Sequence, residues 1–462
     1  MATFSIENFG CRATESDAAT LRGRLLSGGF ELVHDHARAS VIVLNTCTVT
    51  AAADSQAREA VRKIHRANPS ARIVLTGCYA QRAPEELAAL EGVTLVVGNS
   101  HQTEIPSLLG QFAARVDTEP ARAGQFVPLA ELHSDPMSLA RGPAKILTGD
   151  IFSQTLLSMA PSEDFIADRT RPILKIQDGC NNRCSYCVIP FVRGRSRSLP
   201  PGAVISEIRK LAESGAKEVV LSGINLGSYG RDLEPKACLP DLVMRILTET
   251  KLDQLRLSSI EPQDVTEDFV SLVASSARIA PHFHVPLQSG SNRILRAMRR
   301  WYRAEHYAER IRSIRHCMPD AAIGADVIAG FPGETDEDFE ETVRLIESLP
   351  FTYLHVFSFS ARPGTEASKL PMQIEPHVVR ERARRLRALG QKKAAAFRAA
   401  QSGRPMRALT LARTGPDWTE ALTPNYLRVR IAGRWPANQW HSASIERATS
   451  ESAGVSDWLR LR

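Results

Sequence analysis

Along the first hundred residues, short apolar runs alternate with longer stretches in which apolar positions recur every three or four residues. The runs are TFSIENFGC, ASVIVLNTC and ARIVLTGC. Each is brief, and polar or small residues bound it, which predicts buried strands. SDAATLRGRLLSGGF and ADSQAREAVRKIHRANP are the periodic stretches, the second with a Pro that stops a helix. Strand–helix–strand repetition predicts a parallel sheet. Ligands of such sheets sit beyond the carboxyl ends of the strands. Each predicted strand ends on a cysteine: Cys11, Cys47 and Cys78.

The rhythm breaks over residues 114–168, which are punctuated by Pro and Gly and weakly periodic. This stretch reads as a linker, longer than a compact connection should be. From residue 169 the β/α pattern returns with PILKIQDG, EVVLSGIN, QLRLSSI, HFHVPLQ, AIGADVIAG and YLHVFSFS. Six parallel strands with crossover helices predict an open, partial (β/α)6 barrel. A closed eightfold barrel needs two more units. A long basic helix follows over 376–400, with nine Lys/Arg and one acid between Arg380 and Arg404. The tail then alternates in period two, the mark of a small all-β module. The expected fold class is α/β: an N-terminal parallel-sheet domain (1–113), the linker, a central partial barrel (169–400) and an all-β module (401–462).

A chain of 462 residues is too long for one core. Its 43% hydrophobic and 24% charged residues are ordinary for a soluble globular protein. No apolar run reaches bilayer length, and the N-terminus lacks the basic-then-apolar order of a signal peptide. The expectation is a cytoplasmic protein with no membrane partner. Eight cysteines in so long a chain make no disulfide framework; clustered thiols in a reducing compartment more often mean metal or catalysis. The net charge of +7 suits a polyanionic partner without establishing one.

The densest chemistry lies in KIQDGCNNRCSYCVIP, where Cys180, Cys184 and Cys187 follow a predicted strand. A tight Gly/Asn-rich turn lets three thiolates converge. A cubane cluster has four irons, each normally with one thiolate, and structural zinc wants four ligands. No fourth Cys or His follows nearby, so a zinc knuckle with a distant ligand stays open as the plainer alternative. Cys238 and Cys317 stand away from the predicted strand ends and read as unrelated to either set.

The C-x3-C-x2-C spacing, with Tyr186 before the last Cys, is similar to the radical S-adenosylmethionine family. That resemblance implies three thiolates on a [4Fe–4S] cluster, with the fourth iron left open for S-adenosylmethionine. Cleavage of the cofactor by an electron from the cluster would give a 5′-deoxyadenosyl radical. It also implies that later strand ends surround the cofactor: Gly223 and Asn225; Ser258, Ser259 and Glu261; Gln288; Asp326 and Ile328; Phe357 and Phe359. Each of these equally fits a plain packing role.

NTCTVT, TGCYAQ, RGRSRS, PLQSGS and ADVIAGFPGET, in order around the cysteine loop, extend the resemblance over nearly the whole chain to the methylthiotransferase family. It implies a second [4Fe–4S] cluster on Cys11, Cys47 and Cys78, two S-adenosylmethionine per turnover, an external sulfur source, and an electron donor such as a flavodoxin or ferredoxin. It also implies an RNA-binding C-terminal module of the TRAM type. Known targets are adenosine 37 in the tRNA anticodon loop, carrying either a threonylcarbamoyl or an isopentenyl group, and a ribosomal-protein aspartate. GCYAQ and RGRSRS are most like the threonylcarbamoyl branch. Arg193, Arg195 and Arg197 would neutralise phosphates, and Asn425 and Tyr426 sit at the centre of the module; a solvated basic loop is the plainer alternative for the arginines. A two-cluster electron carrier is the reading from another class, and a nucleoside-sized pocket argues against it.

Overall fold

The computed structural model describes residues 2–114, 144–157, 170–447 and 459–461. The chain forms two compact units, Met1–Asp164 with Phe191–Gly194, and Phe165–Pro190 with Arg195–Arg462.

In the first unit, β1 (Thr3–Asn8), β2 (Glu31–Leu32), β3 (Val41–Thr46), β4 (Arg72–Gly77), β5 (Val93–Gly98) and β6 (Lys145–Leu147) form one sheet. The order is β2-β1-β3-β4-β5-β6, and every pairing is parallel. All six residues of β3 are buried, because helices cover both faces of the sheet. Ile42 and Leu44 pack with Ala57, Val61 and Ile64 of helix Ala51–Ala67. Val41 and Val43 pack on the other side with Phe4, Leu21 and Leu25. The linker expectation needs correction in part: Lys145–Leu147 pairs with β5 as an edge strand, with only Ile146 and Leu147 apolar in a Pro- and Gly-punctuated stretch.

The second unit holds the expected six parallel strands. They are β7 (Ile173–Lys175), β10 (Glu218–Ser222), β11 (Gln254–Leu257), β12 (His282–His284), β13 (Ala322–Ala329) and β14 (Tyr353–Ser358). A short antiparallel pair, β8 (Gln177–Asp178) and β9 (Arg197–Ser198), brackets the cysteine loop. Two sheets, β11-β10-β7 and β12-β13-β14, are joined by bridges Leu255 to Ile279 and Ser259 to His284. The connecting helix Asp336–Ser348 opens with a capping box between Thr335 and Asp338. The basic helix Pro376–Ala400 spends much of its charge on packing. Arg382 pairs with Glu334 and Asp336, Arg385 pairs with Glu340, and Lys393 donates to the Glu347 and Leu349 carbonyls.

The tail closes as a five-stranded barrel of β15 (Pro405–Thr414), β16 (Trp418–Leu422), β17 (Arg428–Ala432), β18 (Trp440–Arg447) and β19 (Leu459–Leu461), in the order β15-β16-β17-β19-β18. Its small core gathers Ala408, Ala421, Val429, Ile431 and Ile445. Arg256, fully buried, fastens this module. It binds Glu218 through two nitrogens at 2.7 and 2.9 Å and donates to the carbonyls of Pro424 (2.9 Å) and Thr423 (3.3 Å).

Candidate functional site

Cys11, Cys47 and Cys78 stand just past the ends of β1, β3 and β4, three neighbours in the first sheet. Cys11 is the N-cap of helix Arg12–Ser27, and Cys78 begins helix Cys78–Arg82. Burial pushes the Cys47 thiol up to about 12, and the charges of Cys78 and Cys11 push the same way. Burial also raises Cys78. The charges of Cys78 and Cys11 act against a thiolate at Cys47, so the set suits a cluster whose binding displaces the protons.

The surroundings fix this set. Gly10, at φ +120°, passes so close to Cys47 that an added Cβ would lie 2.5 Å from its Cβ and 3.0 Å from its Sγ. The Asn99 amide reaches Cys78 Sγ at 3.6 Å and donates to the Val192 carbonyl at 2.8 Å. Arg193 pairs with Asp17 at 2.8 Å, and its charge favours the thiolate of both Cys47 and Cys78. An outer network ties the Cys47 loop to the Cys78 helix: Arg82 donates to Thr48 (2.7 Å) and Asp54 (2.9 Å), and Thr48 donates to Asp54 (2.6 Å). Sequence reading missed Gly10, Asp17 and Asn99. Only a Gly immediately before the first cysteine gave a signal.

In the second unit, the loop from Cys180 to Cys187 turns tightly, with Cys187 N donating to the Cys184 carbonyl at 3.1 Å. Ser185 anchors it, its hydroxyl donating to the Ala297 carbonyl at 2.8 Å. Burial, then the charge of Cys184, pushes the Cys187 thiol up to about 12; burial also raises Cys180. All three thiols are free. The Arg300 guanidinium donates to Cys184 Sγ at 3.3 Å and pairs with Glu261. The Asn225 amide lies 4.0 Å from Cys180 Sγ. Its backbone N–H donates to Gln177 Oε1 at 2.8 Å, which holds the β10 end beside the loop. Gly223 lies close against the same glutamine.

The other strand-end residues divide into two groups. Tyr186, Ile328 and Phe359 meet in one apolar cluster with Ile294, Met298 and Phe331. Asp326 lies instead among imidazoles, with His284 Nε2 at 3.1 Å and His355 Nδ1 at 3.2 Å. Burial would raise its pKa, but hydrogen bonds from the two imidazoles hold it well below the usual carboxylate range. Ser259 Oγ lies 2.6 Å from His284 Nδ1. Gln288, buried at φ 66°, bonds back to the Asp326 carbonyl at 2.8 Å through its N–H. Ser258 is buried and Phe357 is exposed on β14. Neither is drawn into these clusters.

The residues assigned to RNA need correction. Arg193 is 2% exposed and committed to Asp17. Asn425 is 3% exposed, with its amide on the Asp320 carbonyl at 3.0 Å. Tyr426 stacks on His282 at 4.3 Å, beneath the Arg256 guanidinium. Arg193 and Asn425 hold the fold together and present little to a ligand, whereas Tyr426 is half-buried in its stack. Arg197 leans on Asp178, leaving Arg195 as the exposed member of the arginine set.

Among known proteins, residues 3–98 match Uncharacterized protein family UPF0004 and residues 174–346 match the Radical SAM superfamily. Threonylcarbamoyladenosine tRNA methylthiotransferase MtaB of Aquifex aeolicus is 37% identical over 93% of this chain and 96% of its own length. The protein of that name from Bacillus subtilis is 35% identical, over 84% and 80%. The tRNA-2-methylthio-N(6)-dimethylallyladenosine synthase of Thermobifida fusca is also 35% identical, over 83% and 73%. A radical S-adenosylmethionine methyltransferase, TsrM, from Kitasatospora setae shares the fold, with a TM-score of 0.55 at 18% identity over 79% of this chain and 77% of that one. An N-terminal sheet with three strand-end thiols, a partial barrel with a three-cysteine loop, and relatives this similar over 73–96% of their own length place the chain in the radical S-adenosylmethionine methylthiotransferase family.

Proposed function

We propose that this enzyme adds a methylthio group to C2 of N6-threonylcarbamoyladenosine at position 37 of tRNA. It would use two [4Fe–4S] clusters and two S-adenosylmethionine per turnover. The observation that carries the reading is the second thiol set, Cys11, Cys47 and Cys78, at the ends of three adjacent parallel strands and shaped by Gly10. A radical enzyme that only abstracts hydrogen has no need of it; one that must also deliver sulfur does. The names of the Aquifex aeolicus and Bacillus subtilis relatives support the threonylcarbamoyl substrate.

Cys180, Cys184 and Cys187 would hold the radical-generating cluster, and Cys11, Cys47 and Cys78 the sulfur-bearing one; three thiols without a fourth suit an iron with an open position. When bound, these clusters and S-adenosylmethionine supply the electron, the hydrogen-abstracting radical and the methyl group. The chain orients and shields them. Arg300 offers an N–H to Cys184 and offsets Glu261, and Asn225 faces Cys180. The cluster around Tyr186, Ile328 and Phe359 gives an apolar wall that excludes water. Asp326 stays ionised as a hydrogen-bond acceptor. Ser258, Ser259, Gly223, Gln288 and Phe357 complete the assignment at the strand ends. A flavodoxin- or ferredoxin-type reductant, a sulfur donor and a cytoplasmic setting accompany it. Among the described residues no helix is long and apolar enough to cross a membrane.

Two variants test the division of labour. Cys184→Ala is expected to abolish reductive cleavage of S-adenosylmethionine. Cys47→Ala is expected to retain cleavage and lose methylthiolated product. Product from the Cys47 variant at the wild-type level contradicts the assignment.

A further inference from the structure

The surface chosen from sequence for RNA is largely spent on packing, yet the second unit carries another. A cavity of about 980 Å³ opens beside the three-cysteine loop. Arg183, which lies between Cys180 and Cys184, lines it, as does Arg300, whose guanidinium touches Cys184 Sγ. Its lining counts five arginines against two glutamates. Trp301 also lines it and is 78% exposed, more than any other large aromatic ring among the described residues.

The backbone here is arranged to present these groups. Helix Asn292–Ala297 ends with Arg299 at φ 56°. Arg300 N donates to the Leu295 carbonyl and Arg299 N to the Arg296 carbonyl, the hydrogen-bond pattern of a left-handed helix stop. Glycine takes that conformation without strain; here an arginine takes it. The turn sends Arg300 inward, 5% exposed, and Trp301 outward. Arg299 pairs with Glu366, but both side chains are more than half exposed, so the pair is weak and free to exchange for a phosphate.

Building on the tRNA reading above, we infer that this cavity is the docking site for the RNA strand, with a base stacked on Trp301 and phosphates on Arg296, Arg299 and Arg303. An exposed indole between guanidinium groups is how single-stranded loops are held: bases stack on the ring, and cations track the backbone. Protein interfaces also enrich Trp and Arg, so an acidic reductant protein is the competing occupant; loss of reductant docking with unchanged stem-loop binding in the variants below would favour it and overturn the RNA site. The site lies beside the three-cysteine loop, so a strand held there is delivered toward the radical chemistry.

The test measures binding of an anticodon stem-loop RNA to the full-length, cluster-loaded protein across a series of salt concentrations. Trp301→Ala is expected to weaken binding on the order of tenfold or more. Trp301→Phe, which keeps a ring to stack on, is expected to stay within about threefold of wild type. The double variant Arg296→Gln/Arg303→Gln is expected to lower the slope of log K against log salt by about 1.5. Thermal unfolding midpoints matching wild type show that the variants are folded. Wild-type affinity and slope in the Ala and double variants overturn the docking site while leaving the tRNA reading intact. Failure of the wild-type protein to bind the stem-loop overturns both.

Discussion

Replacing Gly10 by alanine isolates the second thiol set. The new Cβ would lie 2.5 Å from Cys47 Cβ, 3.0 Å from its Sγ and 3.3 Å from Thr14 Oγ1. Non-bonded carbons settle at about 3.5–4.0 Å, so some group must move by roughly 1 Å. Cys47 has little room, because it follows six fully buried strand residues. The Cys11 turn therefore moves, and metal–ligand distances tolerate only about 0.2 Å. The positive φ adds a strain of about 1–3 kcal/mol, which a core covered on both faces survives. After anaerobic reconstitution, G10A is expected to carry about half the wild-type iron, since each cubane holds four. It is expected to cleave S-adenosylmethionine but make little methylthiolated product. Gly29→Ala is the control: its φ is also positive, at +82°, but nothing lies within 4 Å of the added Cβ. It is expected to keep full iron and activity. Wild-type iron and product in G10A would refute the assignment of Cys11 and Cys47 to a common cluster.

Arg256→Met takes the two-nitrogen partner from the buried Glu218 carboxylate, leaving it Arg171 alone at 3.1 Å, and removes two carbonyl contacts to the C-terminal barrel. A loss of about 3–5 kcal/mol is expected, read by denaturant unfolding, with the barrel cleaved early in limited proteolysis. Asp338 supplies a pH dependence. Burial would raise its pKa from 3.8, but hydrogen bonds from Arg293, Ser291 and Thr335 hold it at about 2. A carboxylate depressed in the fold contributes stability that is whole above its unfolded value and is lost as pH falls through the folded one. The stability difference between wild-type and Asp338→Asn apo-protein is therefore expected to be constant above about pH 5 and to shrink toward pH 2; a difference flat across that range would count against the network.

Strands were legible where periodicity had room to act. The Cys-terminated runs and the six barrel strands rest on apolar runs that extend beyond the paired residues and are bounded by turns. Lys145–Leu147 was not, because only Ile146 and Leu147 are apolar in its three residues and the stretch around it is punctuated by Pro and Gly. The cysteines announced themselves through strand-end position and loop spacing. Their supports did not, because Asn99 and Arg300 reach the thiols from distant parts of the chain and Asp17 acts only through Arg193. The arginine motif misled for a physical reason: a charge pattern cannot tell a solvated guanidinium from one, like Arg193, buried on a carboxylate. Trp301 went unnoticed because one aromatic residue in a polar stretch reads as packing until its exposure is known.

The central claim is methylthiolation of threonylcarbamoyladenosine 37. The most direct measurement is mass spectrometry of nucleosides from tRNA lacking the modification, incubated with the cluster-loaded protein, reductant and S-adenosylmethionine. The wild-type protein is expected to give 2-methylthio-threonylcarbamoyladenosine, and the Cys47→Ala variant none. Methylthiolation of isopentenyladenosine alone, or no methylthio nucleoside at all despite cofactor cleavage, would contradict that claim.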